Sequence, residues 1–174
     1  HVKLYLESGG NLFVSGSELG WDLQGSSAAT DEDTAFLQDF LKVNYAGNNA
    51  NSLTLDGLPG VGFDDIDNVA FGSTPYPENS PDFFKPVDDA VAVLSYENGL
   101  VAGVSYAGTF GESVMEGKVV VFGFPFETVS ASGFRNRLMR NVLNFFFADV
   151  QTDIAGAEGD PIPATFQLEN GFPN

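Results

Sequence analysis

The sequence predicts an α/β fold. Three observations carry that prediction. Short, uninterrupted apolar runs, Leu12-Phe13-Val14 and the KVVVF stretch Lys118–Phe122, suit strands buried on both faces of a sheet. Apolar residues recur at helical spacing after Thr30 and again after Arg135, as expected of helices that lie against such a sheet. A turn rich in glycine, Gly16 to Gly20, separates the first strand from a helical segment that begins near Trp21.

Composition bounds what the chain can do. Its 174 residues suit one domain with a tail, and 43% hydrophobic residues, 17 of them Phe, can fill a real core. Against 24 acidic residues stand 7 basic ones, a formal net charge of −17. A surface of that sign repels phosphate backbones and anionic membranes, so nucleic acid is not an expected partner. There is no Cys, which rules out a disulfide scaffold, a thiolate nucleophile and a Cys-ligated metal. No apolar run approaches the roughly 20 residues of a membrane span, and no signal peptide is evident. The chain opens on His1, the single histidine, and reads as a processed or excised piece of something longer.

Taken in order, Val2 to Glu7 forms the last turns of a helix stopped by Gly9-Gly10. The strand Leu12–Val14 follows. Thr30 caps a helix, with Asp33 completing a capping box and Asp31, Glu32 and Asp33 complementing the helix dipole. Phe36, Leu37, Phe40 and Leu41 line that helix to about Lys42. Leu53 to Leu55 alternates like a strand, and Pro75, Pro77, Pro81 and Pro86 mark a long extended loop. Ala90–Tyr96 and Leu100–Tyr106 are strands joined by an Asn98-Gly99 hairpin signal. Lys118–Phe122, apolar throughout, is an interior strand. Ser130 or Ser132 caps a final helix, with Leu138, Val142, Leu143, Phe145, Phe146 and Phe147 on its buried side. The domain spans 1–149, a linker 150–163, and an extended segment 164–174.

Two segments carry more specific information. The first is ESGGNLFVSGSELGWD from Glu7 to Asp22; the second is GKVVVFGFPFE from Gly117 to Glu127, leading into the RNRLMRNVLNFF helix. Together they resemble the class I glutamine amidotransferase-like superfamily. In that family a strand ends in a G-x-C-x-G elbow bearing the nucleophile, and a later His-Pro-Glu completes the triad. Here the elbow is Gly16-Ser17-Glu18-Leu19-Gly20, with Glu18 in the nucleophile's place. The later sequence is Pro125-Phe126-Glu127, where only Glu127 matches the family's acidic member. The resemblance implies a three-layer, flavodoxin-like sandwich around a mostly parallel central sheet that lacks its first strands. It also implies that acyl transfer is lost, since a glutamate elbow with no histidine partner cannot run it. The tail from Pro163 to Asn174, PATFQLENGFPN, resembles the start of a type IX secretion C-terminal sorting domain. That resemblance implies a large secreted bacterial parent protein.

Other residues carry weaker signals. Asp64, Asp65 and Asp67 are the calcium candidates, and calcium is the one cofactor the sequence admits. Thr34, in Asp33-Thr34-Ala35, resembles a bacterial O-glycosylation site. Trp21 suits the core, with sugar stacking as the alternative. Arg135, Arg137 and Arg140 suit surface pairs with carboxylates. The expected function is a non-catalytic structural or interaction module, secreted or at the cell surface. Its expected partners are proteins: identical copies, or the missing part of its own domain. The alternatives are a self-assembling subunit of an extracellular filament or sheath and, with less support, a hydrolase using Glu18 and Glu127 as a carboxylate pair.

Overall fold

The computed structural model describes residues 1–148. The expected linker at 150–163 and the extended segment at 164–174 lie outside the described residues. The chain runs through α1 (Val2–Glu7), β1 (Asn11–Ser15), a π-helical turn (Trp21–Gly25), α2 (Asp31–Asp39), β2 (Val43–Gly47) and β3 (Thr54–Gly57). It continues through β4 (Val69–Ala70), β5 (Phe83–Pro86), β6 (Val91–Tyr96), β7 (Val101–Thr109) and β8 (Glu116–Phe122), then a 3-10 turn (Phe126–Thr128) and α3 (Ser132–Phe147).

The class is α/β, but the expected mostly parallel three-layer sandwich is not what forms. Six strands make one mixed sheet in the order β1-β8-β7-β6-β3-β4, and β2 and β5 make a separate antiparallel pair. Within the large sheet only β1 and β8 run parallel; every other neighbouring pair is antiparallel. The reason is connection length. A parallel neighbour needs a crossover of about a dozen residues or more. The tight turn between Tyr96 and Val101 and the short loop between Thr109 and Glu116 leave room only for hairpins. At the first of these Gly99 takes φ +83 and its N–H donates to the Tyr96 carbonyl at 2.8 Å, as the Asn98-Gly99 signal predicts.

β8 is interior and buried on both faces. Val119 and Val121 point into a cluster with Leu6, Leu37, Phe40 and Phe110. Val120 and Phe122, on the opposite face by strand alternation, join Phe63, Leu138, Val142 and Phe146. The Phe122 ring packs edge-on against Phe13 at 5.1 Å and stacks on Phe124 at 5.1 Å. β1 departs from expectation. Leu12, Phe13 and Val14 are only half-buried, because β1 is an edge strand with no neighbour beyond it among the described residues.

The helices follow local rules, with two corrections. α2 carries the expected capping box: the Asp33 N–H donates to Thr30 Oγ1 at 3.2 Å, and the Thr30 N–H donates to Asp33 Oδ2 at 3.0 Å. α3 is not capped by either serine. Its N-cap is Ala131, while Ser130 Oγ lies 3.1 Å from Ser73 Oγ. Leu138, Val142 and Phe146 are buried at i, i+4 and i+8, whereas Leu143 and Phe147 are exposed. Six apolar residues in ten cannot all share one helical face. No helix among the described residues is long and apolar enough to cross a membrane.

Candidate functional site

The parallel pairing of β1 with β8 brings the two specific sequence segments together. Ser15 lies opposite Phe122 in the register. Past the strand ends, the Gly16 N–H donates to the Phe122 carbonyl at 3.2 Å, and the Phe126 N–H donates to Ser15 Oγ at 3.3 Å. The Phe126 ring meets Phe13 edge-on at 5.7 Å. The site therefore sits at the carboxyl ends of the one parallel pair in the sheet.

The elbow is a sharp turn with a strained apex. Gly16 and Ser17 are half-buried; Glu18 is exposed and left-handed, with φ +62, a conformation that costs a non-glycine residue on the order of 1 kcal/mol or more. The Glu18 carbonyl accepts from the Asp22 N–H at 2.8 Å, which starts the helical turn. Gly20 is buried against ring carbons, and a Cβ there would stand 2.9 Å from Tyr45 and 3.0 Å from Phe84. The elbow glycine is thus needed for close packing.

Beneath the elbow lies a residue that the sequence reading passed over. Asp82 is fully buried, and its Oδ2 accepts from the Gly20 N–H at 2.6 Å and from the Trp21 N–H at 3.4 Å. Its own backbone is fixed from below: the Asp82 N–H donates to the Gly123 carbonyl at 2.7 Å, and the Tyr96 hydroxyl donates to the Asp82 carbonyl at 2.7 Å. Gly123 must be glycine, because a Cβ would fall 2.2 Å from the Asp82 carbonyl oxygen. Asp82 Oδ1 has no hydrogen-bond partner, the single such buried side-chain atom among the described residues. Burial pushes the carboxyl up to about 7; the Gly20 and Trp21 N–H groups oppose the rise, and the Glu18 and Asp22 charges add to it. Burial also raises the Tyr45 phenol, with Asp82 and Glu18 contributing. The charged side chains that act on Asp82, Glu18 and Asp22, are both carboxylates. One sequence signal pointed to Asp82: a lone carboxylate set between Pro81 and the aromatic pair Phe83-Phe84.

The second segment makes its own small site. Pro125 is buried, Phe126 half-buried and Glu127 exposed. Glu127 Oε1 accepts from the Tyr76 hydroxyl at 2.5 Å, and this hydrogen bond pushes the phenol up to about 12. Glu127, Phe126, Thr74, Pro75 and Arg135 line a shallow recess. The Glu18 charge acts on Asp82 and Tyr45, and the Glu127 charge acts on Tyr76. The two glutamates occupy separate electrostatic neighbourhoods.

The remaining sequence candidates are mostly engaged in structure. Asp64 closes its own loop, accepting from the Gly60 N–H and from the Gly62 N–H at 3.2 Å. Asp65 is held by Arg140 Nη2 and Asn141 Nδ2, each at 2.6 Å, with Arg137 Nε at 3.7 Å. Asp67 is exposed. Among the described residues, no three or more His, Asp or Glu side chains are grouped to hold a metal ion. Thr34 is half-buried in the first turn of α2, where its hydroxyl donates to the Leu23 carbonyl at 3.3 Å. Arg137 and Arg140 make the expected pairing with a carboxylate, while Arg135 Nη1 donates to the Val129 carbonyl at 2.5 Å. Trp21 is 38% exposed, against the core placement expected, and meets Tyr45 edge-on at 6.1 Å. His1 is exposed at the start of α1.

No protein-family model matches the chain, and no curated protein matches it.

Proposed function

We propose that this chain is a non-catalytic structural or interaction module of a secreted or cell-surface bacterial protein. The observation that carries the reading is the occupant of the elbow. A left-handed apex between a strand and a helical turn is a backbone arrangement suited to presenting a nucleophile. Here it presents a glutamate ringed by Asp22 and Asp82, in a chain with no Cys and with one His, at position 1. Acyl transfer needs a nucleophile with a base in hydrogen-bond reach. The elbow offers a glutamate in place of the Cys–His pair, and Asp82 accepts from the elbow's N–H groups and so holds the backbone in place. This supports descent from an amidotransferase-like elbow that has kept its turn and lost its chemistry. The net charge of −17 supports proteins over nucleic acid as partners.

The test is hydrolysis of glutamine and of an activated ester by the purified chain, beside Glu18→Gln. A module shows no turnover above buffer that the substitution removes. Turnover lost in Glu18→Gln would overturn the reading in favour of a hydrolase.

A second reading, a self-assembling subunit, is favoured by the open edge of β1. That strand, NLFVS, is uncharged and half-buried, and no strand pairs with its outer side among the described residues, where the Tyr5 hydroxyl covers the first residue by donating to the Asn11 carbonyl at 3.0 Å and accepting from the Asn11 N–H at 3.1 Å. Leu4 (67% exposed) on α1, with Val114 (92%) and Met115 (55%) before β8, adds exposed apolar surface to the two elements that flank the edge. An open, uncharged edge is a template for strand addition by a neighbour.

A further inference from the structure

We infer that the cleft walled by the 48–53 loop, the 78–81 loop and the β6–β7 turn is a binding site for a neutral, hydroxyl-rich ligand, a mono- or disaccharide. The cleft has a volume of about 490 Å3 and no elbow residue lines it, so the inference does not depend on the elbow's lost chemistry. Pockets of about 300–1,000 Å3 suit small ligands.

Three loops build it, and backbone hydrogen bonds fix them to one another. The Ala50 N–H donates to the Pro81 carbonyl at 3.1 Å, the Glu97 N–H to the Thr54 carbonyl at 3.1 Å, and the Phe71 N–H to the Leu53 carbonyl at 3.0 Å. Asn98 Nδ2 donates to the Ala50 carbonyl at 2.5 Å. Asn49 and Asn51 both take left-handed backbone, φ +56 and +53, which turns the loop sharply at the cleft wall. The walls are therefore preorganised.

What lines those walls is mostly polar, and Asn49, Asn51, Asn79 and Glu97 are exposed there. The side chains of Asn49, Asn79 and Glu97 make no hydrogen bond among the described residues, and Asn51 spends only its Nδ2, on the Asn49 carbonyl at 3.1 Å. Glu78 is 7% exposed; its Oε1 accepts from the Ser80 N–H at 2.7 Å, and its Oε2 takes no bond. Since Asp82 Oδ1 is the one wholly buried oxygen without a partner, Glu78 Oε2 keeps its contact with solvent, and Glu78 lines the cleft. A nearly buried carboxylate with one oxygen free is a strong acceptor waiting for a donor.

The lining selects the ligand's chemistry. Two carboxylates and no cationic side chain exclude anions, phosphates among them. Carboxylates accept from hydroxyls, and asparagine amides both donate and accept, which matches the mixed character of a sugar hydroxyl. Leu53, 41% exposed, and Pro81 add apolar surface that suits the C–H face of a sugar ring and offers nothing to a bare cation. The volume is also far larger than one ion needs.

The test uses the full chain and follows the Asn49, Asn51 and Asn79 side-chain amides by NMR. Neutral probes (glucose, galactose, mannose, maltose, cellobiose) are added one at a time, with calcium chloride as a separate arm. The expected result is saturable movement of these amides with at least one sugar. Glu97→Gln, exposed and remote from the core, weakens that sugar about tenfold, the loss of one charge-assisted hydrogen bond. Glu78→Gln, which keeps an acceptor for Ser80, does the same. Saturation by calcium and by no sugar overturns the proposal in favour of a cation site. It is equally overturned if no sugar shifts the amides, or if both folded variants bind as tightly as the parent.

Discussion

Asp82 sets the chemistry of its neighbourhood through one carboxyl group. It is buried, it holds the elbow through two N–H groups, and one of its oxygens is unpaired. Its pKa, near 3.8 in an open chain, stands at about 7 in the fold. Below about pH 4 the carboxyl is protonated in both states. Between those values the folded chain keeps a proton that the unfolded chain releases. The group's contribution to stability is therefore present at low pH and is lost as pH rises through 7, by up to about 4 kcal/mol. Asp82→Asn cannot ionise. The stability of the parent relative to Asp82→Asn, measured by urea denaturation at intervals from pH 4 to 8, should fall from pH 4 to about 7 and level off above that. A difference that stays flat with pH would show that Asp82 is ionised throughout. The residue escaped sequence reasoning because its burial comes from Gly123, Tyr96 and the elbow, all distant along the chain.

At the scale of elements, β8 organises the molecule. It joins β1 on one side and β7 on the other, and its alternating residues feed both apolar clusters. The four consecutive apolar residues Val119–Phe122 made that interior position legible, because a run apolar on both faces is buried on both faces. The same argument failed for Leu12–Val14, since a run of three apolar residues does not say whether a further strand lies beyond it. Phe122 is the position where the two roles meet: it ends the register with β1 and contacts Phe13, Phe63 and Phe124 through its ring. Phe122→Ala should cost about 3–5 kcal/mol, as large-to-small changes in a packed aromatic core do. A chemical-denaturation midpoint displaced by less than about 1 kcal/mol in equivalent stability would mean that the core there is loosely packed.

For the molecule as a whole, the open question is what meets the edge of β1. A module that acts alone in solution should give a native mass of 18.5 kDa by light scattering. A self-assembling subunit should give a far larger particle, and Asn11→Lys on the edge strand should return it to monomer, because a charge on a pairing edge blocks strand addition. Assembly that persists in Asn11→Lys would place the contact elsewhere, with exposed Leu143 and Phe147 of α3 the next surface to change.

The sequence by itself determined the parts that depend on near neighbours. The capping box of α2, the stop at Gly9-Gly10 and the hairpin at Asn98-Gly99 all follow from local sterics and hydrogen bonding. The absence of Cys and the single His fixed what chemistry the elbow could not do. Only the tertiary structure decided the rest. It set the direction of the strands, where short loops enforce hairpins and a family resemblance implied crossovers. It placed Asp82 beneath the elbow, committed Asp64 and Asp65 to backbone and arginine partners, and gathered Glu78, Glu97 and three asparagines around one cleft. The division has one physical cause: caps and turns are settled within a few residues, whereas burial and convergence are properties of segments that meet only when the chain folds.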